Sequence, residues 1–391
     1  MPHLDPAFPL RVRHRPDPLP AAPAVRVVDL FAGGGGLTQG VFEAAIENHM
    51  ALDVRLAIDL EPLAVAVYAR NFPDARAQAT SVESVFDGDL GAPLTLMERR
   101  TETAVGEVDV LLGGPPCQGH SNLNNHTRRT DEKNALYLRM ARAAEVLRPR
   151  LVLIENVPSV VRDRHDGESV VARADTHLRA LGYATMQQVV SLAKLGVAQT
   201  RRRHVLIAVR DPGVNPAELI ELATHAQPEH DLRWAIGDLV DTPETGILDR
   251  RPRPSATNLS RMQYMLDHDL YDLPNHQRPA CHQRNHSYKS MYGRLRWEEP
   301  AQTITSGYGS IGQGRYMHPD QTRALTAREA ARIQGFPDYF DFSPCSSRSA
   351  LATMIGNAVP PHLTQAMISA FLHLDHISSA TRLTAPKVQT A

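Results

Sequence analysis

The sequence predicts an α/β protein with a doubly wound, mostly parallel sheet and a smaller irregular domain inserted late in the chain. Three observations carry that prediction. Short β-branched apolar runs alternate with helical periodicity from residue 25 to about residue 210. The first run ends in Asp29-Leu30-Phe31-Ala32-Gly33-Gly34-Gly35-Gly36, a strand passing through a glycine turn into a helix, as where backbone must approach a ligand closely. At Asp211 the alternation stops and the composition changes.

Composition narrows the class. The 391 residues exceed one ordinary core, and 42% hydrophobic with 22% charged residues is normal for a globular protein. Cys117, Cys281 and Cys345 are odd in number without Cys-x-x-Cys spacing, which argues against a disulfide framework or a cysteine-rich zinc site and for a reducing cytoplasm. No apolar run approaches a membrane span and the amino terminus has no signal-peptide segment, so no membrane partner is expected. With a net charge of −1, a nucleic-acid partner has to meet a local basic face.

Residues 1–24 hold seven prolines with Arg11, Arg13 and Arg15 among them and read as a flexible leader. Residues 25–31 form the first strand. Neither glycine register after it completes G-x-G-x-x-G, which turns the reading away from a dehydrogenase. A second strand, 54–58, ends at Asp59, placed to accept hydrogen bonds from ribose hydroxyls, and Pro62 opens the next helix. The strand at 108–112 leads into Gly113-Gly-Pro-Pro-Cys-Gln-Gly-His-Ser121. Cys117 therefore stands just past a strand's carboxyl end, where open sheets hold their chemistry, with prolines fixing and glycines freeing the backbone around it. The polar run 119–133 reads as a lid. A helix (134–147) and a strand (150–154) deliver Glu155 to the same sheet edge, placed to donate a proton. A helix at 167–181 and a strand at 183–192 follow. Gln199-Thr-Arg201-Arg202-Arg203 then enters a strand at 205–209, where Arg201 and Arg203 share a face and Arg202 turns away.

Residues 211–250 hold nine acids against two arginines, whereas 251–300 hold eight Lys/Arg against five acids, interleaved with Tyr264, Tyr271, His276, His282, His286, Tyr288 and Tyr292. That mixture suits a surface that grips phosphates and reads bases. The spacing of His276, Cys281, His282 and His286 matches no standard zinc pattern, and no metal is expected. A helix over 323–338 carries a Thr326/Glu329 capping box. A tight turn at 355–361 leads to a last helix ending near residue 374, and the tail reads as frayed.

Six ordered blocks resemble the signature blocks of the cytosine-C5 DNA methyltransferases, in the manner of the bacterial modification methylases. They are Asp29-Leu-Phe-Ala-Gly-Gly-Gly-Gly, Pro115-Pro-Cys-Gln, Glu155-Asn-Val, Gln199-Thr-Arg-Arg-Arg, Arg323-x-x-Thr-x-Arg-Glu-Ala-Ala-Arg and Gly356-Asn-Ala-Val. The resemblance implies methylation of carbon 5 of a flipped-out cytosine in double-stranded DNA, with S-adenosylmethionine as cofactor. It implies Cys117 as the nucleophile at carbon 6, Glu155 at ring nitrogen 3 and Arg201 bracing the ring carbonyl. Asp29, Phe31, Ala32, Gly33, Gly35, Asp59, Leu60, Pro115, Asn357 and Val359 are implied at the cofactor, and Gln118, Ser121, Arg203, Arg278, Arg284 and Arg294 on DNA. The expected organisation is a leader at 1–24, a catalytic domain at 25–210, a target-recognition domain at 211–322, a return to the catalytic domain at 323–378 and a frayed tail at 379–391. A monomer is expected, with a restriction endonuclease acting on the same site without contact. There are two departures. The stretch 78–82 lacks the carboxylate the family often places at the adenine, leaving a hydroxyl or a backbone group to substitute, and His120 stands where an aromatic or small residue is common. A transfer-RNA methyltransferase would carry the same blocks, but the large 211–300 segment favours DNA; intact Cys117, Glu155 and Arg201 argue against a non-catalytic descendant.

Overall fold

A computed structural model describes residues 9–17, 19, 22–116, 135–225, 228–283 and 290–384. Contacts group the chain into two compact units: Asp17–Leu195, Arg202–Gln227 and Pro361–Ala391 make one, and Met1–Pro16, Gly196–Arg201 and Pro228–Pro360 the other.

The first unit is the sheet. Its strands are β1 (Ala24–Leu30), β2 (Ala51–Asp59), β3 (Ala77–Ala79), β4 (Val110–Gly113), β5 (Leu151–Asn156), a short hairpin of β6 (Arg164–His165) and β7 (Glu168–Ser169), β8 (Ala184–Ser191) and β9 (Arg202–Val209). The main sheet runs β3-β2-β1-β4-β5-β9-β8. The five strands from β3 to β5 are mutually parallel, and β9 runs antiparallel to both β5 and β8. The doubly wound, mostly parallel sheet is as expected. Its helices are α1 (Gly36–Glu47), α2 (Pro62–Asn71), α3 (Val82–Val85), α4 (Leu96–Val105), α5 (Ala135–Leu147), α6 (Val170–Ala180) and α7 (Pro216–Thr224), joined at the chain's end by α12 (His362–Thr384).

Parallel strands covered on both faces are nearly continuous apolar runs; β4 is one throughout, and β1, β2 and β5 are so at most of their buried positions, with the polar Asp29, Asp59, Glu155 and Asn156 near their carboxyl ends. Val28, Leu30, Ile58, Leu111, Ile154 and Leu206 pack against Met140, Ala144, Val171 and Leu178 of α5 and α6. Each such aliphatic side chain contributes roughly 1.5–3 kcal/mol when fully buried. Elsewhere α1 meets α12 so closely that a Cβ at Gly40 would lie 1.9 Å from the Pro361 carbonyl oxygen, so only glycine is accommodated.

The second unit carries α8 (Leu232–Ile236), α9 (Ala256–Asp267), α10 (Ala327–Ile333) and α11 (Arg348–Asn357), joined by long turns. Its core includes Met262, Met265, Leu273, Tyr292 and Met317. Two of the nine acids noted in 211–250 serve α10: Asp238 takes Arg332 at 2.9 Å and Asp249 takes Arg328 at 3.0 Å. Arg323 grips Glu329 through two bonds of 2.8 and 2.7 Å, and Glu329 closes the expected capping box with Thr326.

Some boundaries differ from expectation. Residues 211–227 group with the sheet, because Pro216 opens α7 beneath the Asn215 cap and Leu219, Ile220 and Ala223 are buried. Residues 323–360 group with the second unit, and the return to the sheet begins at Pro361. The last helix runs on to Thr384. The leader is docked in part: Leu10 is buried, and the Leu10 and Val12 carbonyls accept from Asp338 and Tyr339 amides at 2.9 and 3.0 Å, pairing that makes no demand on proline nitrogens.

Candidate functional site

The turn after β1 is held from below and from the side. Asp29 is fully buried; one oxygen accepts from Thr38 Oγ1 at 2.7 Å, and Tyr68 Oη lies 2.7 Å from the same hydroxyl. The other Asp29 oxygen, Oδ1, is buried with no hydrogen-bond partner among the described residues. Burial pushes this carboxyl up to about 7, opposed by the Thr38 hydrogen bond and reinforced by the charge of Asp59. Phe31, Gly33 and Gly35 all take left-handed backbone, with φ of 58°, 54° and 94°. Such a conformation at a phenylalanine is costly and collects at functional turns. Asp59 sews the turn to the end of β2: its Oδ2 accepts from the Gly33 amide at 2.8 Å and its Oδ1 from the Glu61 amide at 2.9 Å. Ala32 is buried beside it, whereas Leu60 is 69% exposed, a large apolar side chain standing free next to an acid. At the stretch lacking a carboxylate, Ser81 caps α3 and Thr80 Oγ1 lies 3.1 Å from Ser84 Oγ.

Cys117, Gln118 and Ser121 lie outside the described residues. The loop leading to them is anchored at its start, where Asn156 Nδ2 donates to the Pro115 carbonyl at 3.0 Å. A Cβ at Gly114 would lie 3.0 Å from Glu155 Oε2, so the carboxylate sits against the backbone three residues before the cysteine. Glu155 is 5% exposed, and its Oε1 is ion-paired with Arg203 Nε. The pairing follows from register. Glu155 stands opposite Val205 across the antiparallel β5–β9 ladder, so Arg203 is its diagonal neighbour on the same face, within reach of a long side chain.

Arg201, expected at the base, lies before the strand begins and turns elsewhere. It is buried in the second unit, where its Nη1 donates to the Ile304 carbonyl at 3.2 Å and to Gln334 Oε1 at 3.4 Å. Gln199 does similar work, accepting from the Ile304 amide at 3.0 Å and donating to Gln334 Oε1 at 2.9 Å. Gln334 in turn donates to the Ile355 carbonyl at 2.7 Å. Asn357 is exposed at the end of α11, Val359 is half-buried after it, and a Cβ at Gly356 would lie 2.1 Å from the Ser306 amide nitrogen.

The expected DNA arginines separate. Arg278 is half-buried and donates to the Leu273 carbonyl at 2.8 Å. Arg294 is 8% exposed, donates to the Pro319 carbonyl at 2.6 Å, pairs with Asp269 at 3.1 Å and stacks over Tyr271, so it holds the fold together. Arg284 and His286 lie outside the described residues. Cys281 Sγ lies 3.0 Å from His282 Nδ1, and no group of three potential ligands is assembled among the described residues. Sequence reasoning missed Arg203 as the partner of Glu155, Thr38 and Tyr68 under Asp29, and Asn156 as the loop's anchor. The alternation of Arg201 and Arg203 was the available signal for the first.

A left-handed turn sewn to an acid, and a carboxylate paired with an arginine at the end of β5, stand at the carboxyl edge of the parallel strands and mark a doubly wound α/β protein. Residues 25–373 match the family model described as C-5 cytosine-specific DNA methylase, and the chain belongs to that family of DNA cytosine-5 methyltransferases. It is 42% identical over 357 residues to the Type II methyltransferase M1.BsuMI of Bacillus subtilis, covering 91% of this chain and 82% of that one. It is 31% identical over 345 residues to the Type II methylase M.HgiDII of Herpetosiphon aurantiacus, covering 85% and 91%. Among solved structures, the Dnmt2 methyltransferase of S. pombe superposes with a TM-score of 0.60 at 18% identity, over 90% of this chain and 98% of that one, a likeness of fold. No helix among the described residues is long and apolar enough to cross a membrane.

Proposed function

We propose that the protein methylates carbon 5 of a flipped-out cytosine in a specific double-stranded DNA sequence, using S-adenosylmethionine and a transient covalent bond from Cys117. The observation that supports this most is the Glu155–Arg203 pair set against the loop that leads to Cys117.

The sheet edge suits the cofactor. The left-handed turn offers backbone rather than side chains, Asp59 has lone pairs left for ribose hydroxyls, and Leu60 presents an exposed apolar face for a ring. The orphaned Asp29 oxygen gives a buried acceptor below the turn. When bound, S-adenosylmethionine supplies an electrophilic methyl group on sulfur.

The chain's own residues do the rest. Carbon 5 of cytosine is too weak a nucleophile unaided, so the Cys117 thiolate adds at carbon 6 and pushes electron density to carbon 5. Glu155 holds or protonates ring nitrogen 3 as charge develops there. Arg203 fixes that carboxyl and reaches the ring carbonyl, the role expected of Arg201. After carbon 5 is methylated, water takes its proton, the C5–H electron pair forms the C5=C6 double bond, and the C6–S pair leaves on sulfur to restore the thiolate. A base stacked in a duplex exposes neither face, so the target is turned out of the helix first. The second unit supplies target recognition, and the Type II names of the relatives favour a restriction-modification setting with an endonuclease for the same sequence.

Bisulfite sequencing of DNA from cells expressing the chain tests the activity and reveals the site. Cys117→Ala is expected to abolish transfer while cofactor affinity stays within a few-fold, because the thiol acts on the base. Transfer surviving at a tenth of the wild-type rate overturns the covalent route.

A further inference from the structure

A cavity of about 460 Å³ opens within the second unit, between the glycine-rich turn at 306–310, the first turns of α11 and the segment at 247–250. Two of its lining residues, Arg250 and Arg348, are exposed and have no acid or hydrogen-bond partner among the described residues, and no acid lines the cavity. This sets them apart from their neighbours, since Arg323, Arg328, Arg332, Arg294 and Arg315 each hold a carboxylate. Asp249, next to Arg250, is committed to Arg328.

The third feature is independent of charge. Tyr308 is 4% exposed and lines the cavity, yet its hydroxyl has no hydrogen-bond partner among the described residues. Burial pushes the hydroxyl well up despite the nearby Arg348, so it remains a neutral donor. The hydroxyl oxygen is open to the cavity, so a ligand entering there can accept its hydrogen bond. The turn itself is shaped for close approach: a Cβ at Gly307 would lie 2.6 Å from the Gln313 Cβ, and Arg348 Nη2 lies 3.5 Å from where a Cβ of Gly309 would be. Ser306 and Ser310 add hydroxyls at the rim.

We propose that this cleft holds a backbone phosphate of the duplex, with Arg250 and Arg348 neutralising it and Tyr308 donating to one of its oxygens. The assignment rests on DNA being the substrate and adds a gripping site to that reading. Two arginines without planar base-edge partners, a lone hydroxyl donor and a glycine turn match a tetrahedral anion better than a base.

The test uses the full chain and two fluorescent duplexes, one with the methylation site and one without it, titrated over a range of salt. Arg348→Gln and Arg250→Gln are each expected to weaken both duplexes alike, by about tenfold, and to flatten the slope of log Kd against log salt by about 0.9. Arg348→Lys should keep the slope, and Tyr308→Phe, which removes only an oxygen, should weaken both duplexes a few-fold. Cofactor affinity by calorimetry checks the fold. Unchanged affinity and slope in both glutamine variants overturns the proposal. So does a loss confined to one base position, which marks base reading, or altered competition by inorganic phosphate with duplex binding intact, which marks a free-anion site. Binding is read without methyl transfer. A chain that binds DNA but does not methylate it fails the functional proposal alone, whereas one that methylates with no slope change fails this one alone.

Discussion

Replacing Arg203 with alanine separates the two arginines that the sequence alone left side by side. In the wild type the Arg203 and Glu155 side chains are 12% and 7% exposed, so removing the guanidinium leaves a carboxylate buried and unpaired. Breaking such a pair costs about 3–5 kcal/mol, and the residual exposure puts this one near the lower end. Arg201→Ala removes the hydrogen bonds to Ile304 and Gln334 and should cost a similar amount of stability, about 3 kcal/mol at roughly 1.5 kcal/mol or more per charged bond. Stability therefore does not distinguish them, but the chemical step does. Single-turnover methyl transfer at saturating DNA and cofactor, normalised to the folded fraction from urea melts, is expected to fall by roughly 10²–10³ for Arg203→Ala, the scale of a lost preorganised charge. Arg201→Ala should stay within a few-fold. In a double-mutant cycle, Arg203→Ala and Glu155→Gln should be strongly non-additive, because each acts through the other. The reasoning is refuted if Arg201→Ala costs a hundredfold while Arg203→Ala transfers at a near-normal rate.

Asp29→Asn tests the buried carboxyl, whose folded value of about 7 lies above the ordinary 3.8. A raised acid favours its protonated form in the fold, so its stabilisation is full below about pH 4 and is lost as pH rises through about 7, by at most about 4 kcal/mol. The amide variant should therefore melt higher than wild type at pH 8 and alike at pH 4.5, while binding the cofactor more weakly; equal melting at pH 8 contradicts the burial argument. Arg294→Ala should lower unfolding stability by about 1–3 kcal/mol with DNA affinity per folded molecule retained, whereas Arg278→Ala should do the reverse. Urea melts and duplex binding on the same preparations separate these outcomes.

The sheet was legible because each of its signals is local. Strand, glycine turn and acid lie within a few residues of one another, and a buried parallel strand reads as a nearly continuous apolar run. The capping box of α10 was legible for the same reason: Thr326 and Glu329 are three residues apart. The partner of Glu155 was not, although half of the inference was available. Alternation showed that Arg201 and Arg203 share a face, but the choice between them depends on where β9 begins and how it registers with β5, and a residue's neighbour across a ladder is not written in its own segment. The strand starts at Arg202, so Arg203 is inside it and Arg201 is outside, free to turn into the second unit. Arg294 failed in the opposite sense. Its sequence neighbourhood is basic and aromatic, as a reading surface would be, yet Asp269 and Tyr271 from one segment and Pro319 from another converge on it.

That contrast bears on how a chain of net charge −1 holds a polyanion. Formal charge counts every arginine equally, but a guanidinium already bonded to a carboxylate contributes little field and has few donors left for a phosphate. In the second unit Asp238, Asp249, Asp269 and Asp272 are taken up by Arg332, Arg328, Arg294 and Arg315 of the same unit. What remains for DNA is the arginines that this internal neutralisation leaves without an acid among the described residues, Arg250 and Arg348 among them; Arg250 opens the short basic run Arg250-Arg251-Pro252-Arg253, whereas no basic run marks Arg348. Local charge density in the sequence therefore does not separate the two kinds, since Arg294 in one basic stretch braces the fold and Arg250 in another lines the cleft; the cations that meet the ligand are found by asking which of them the fold leaves alone.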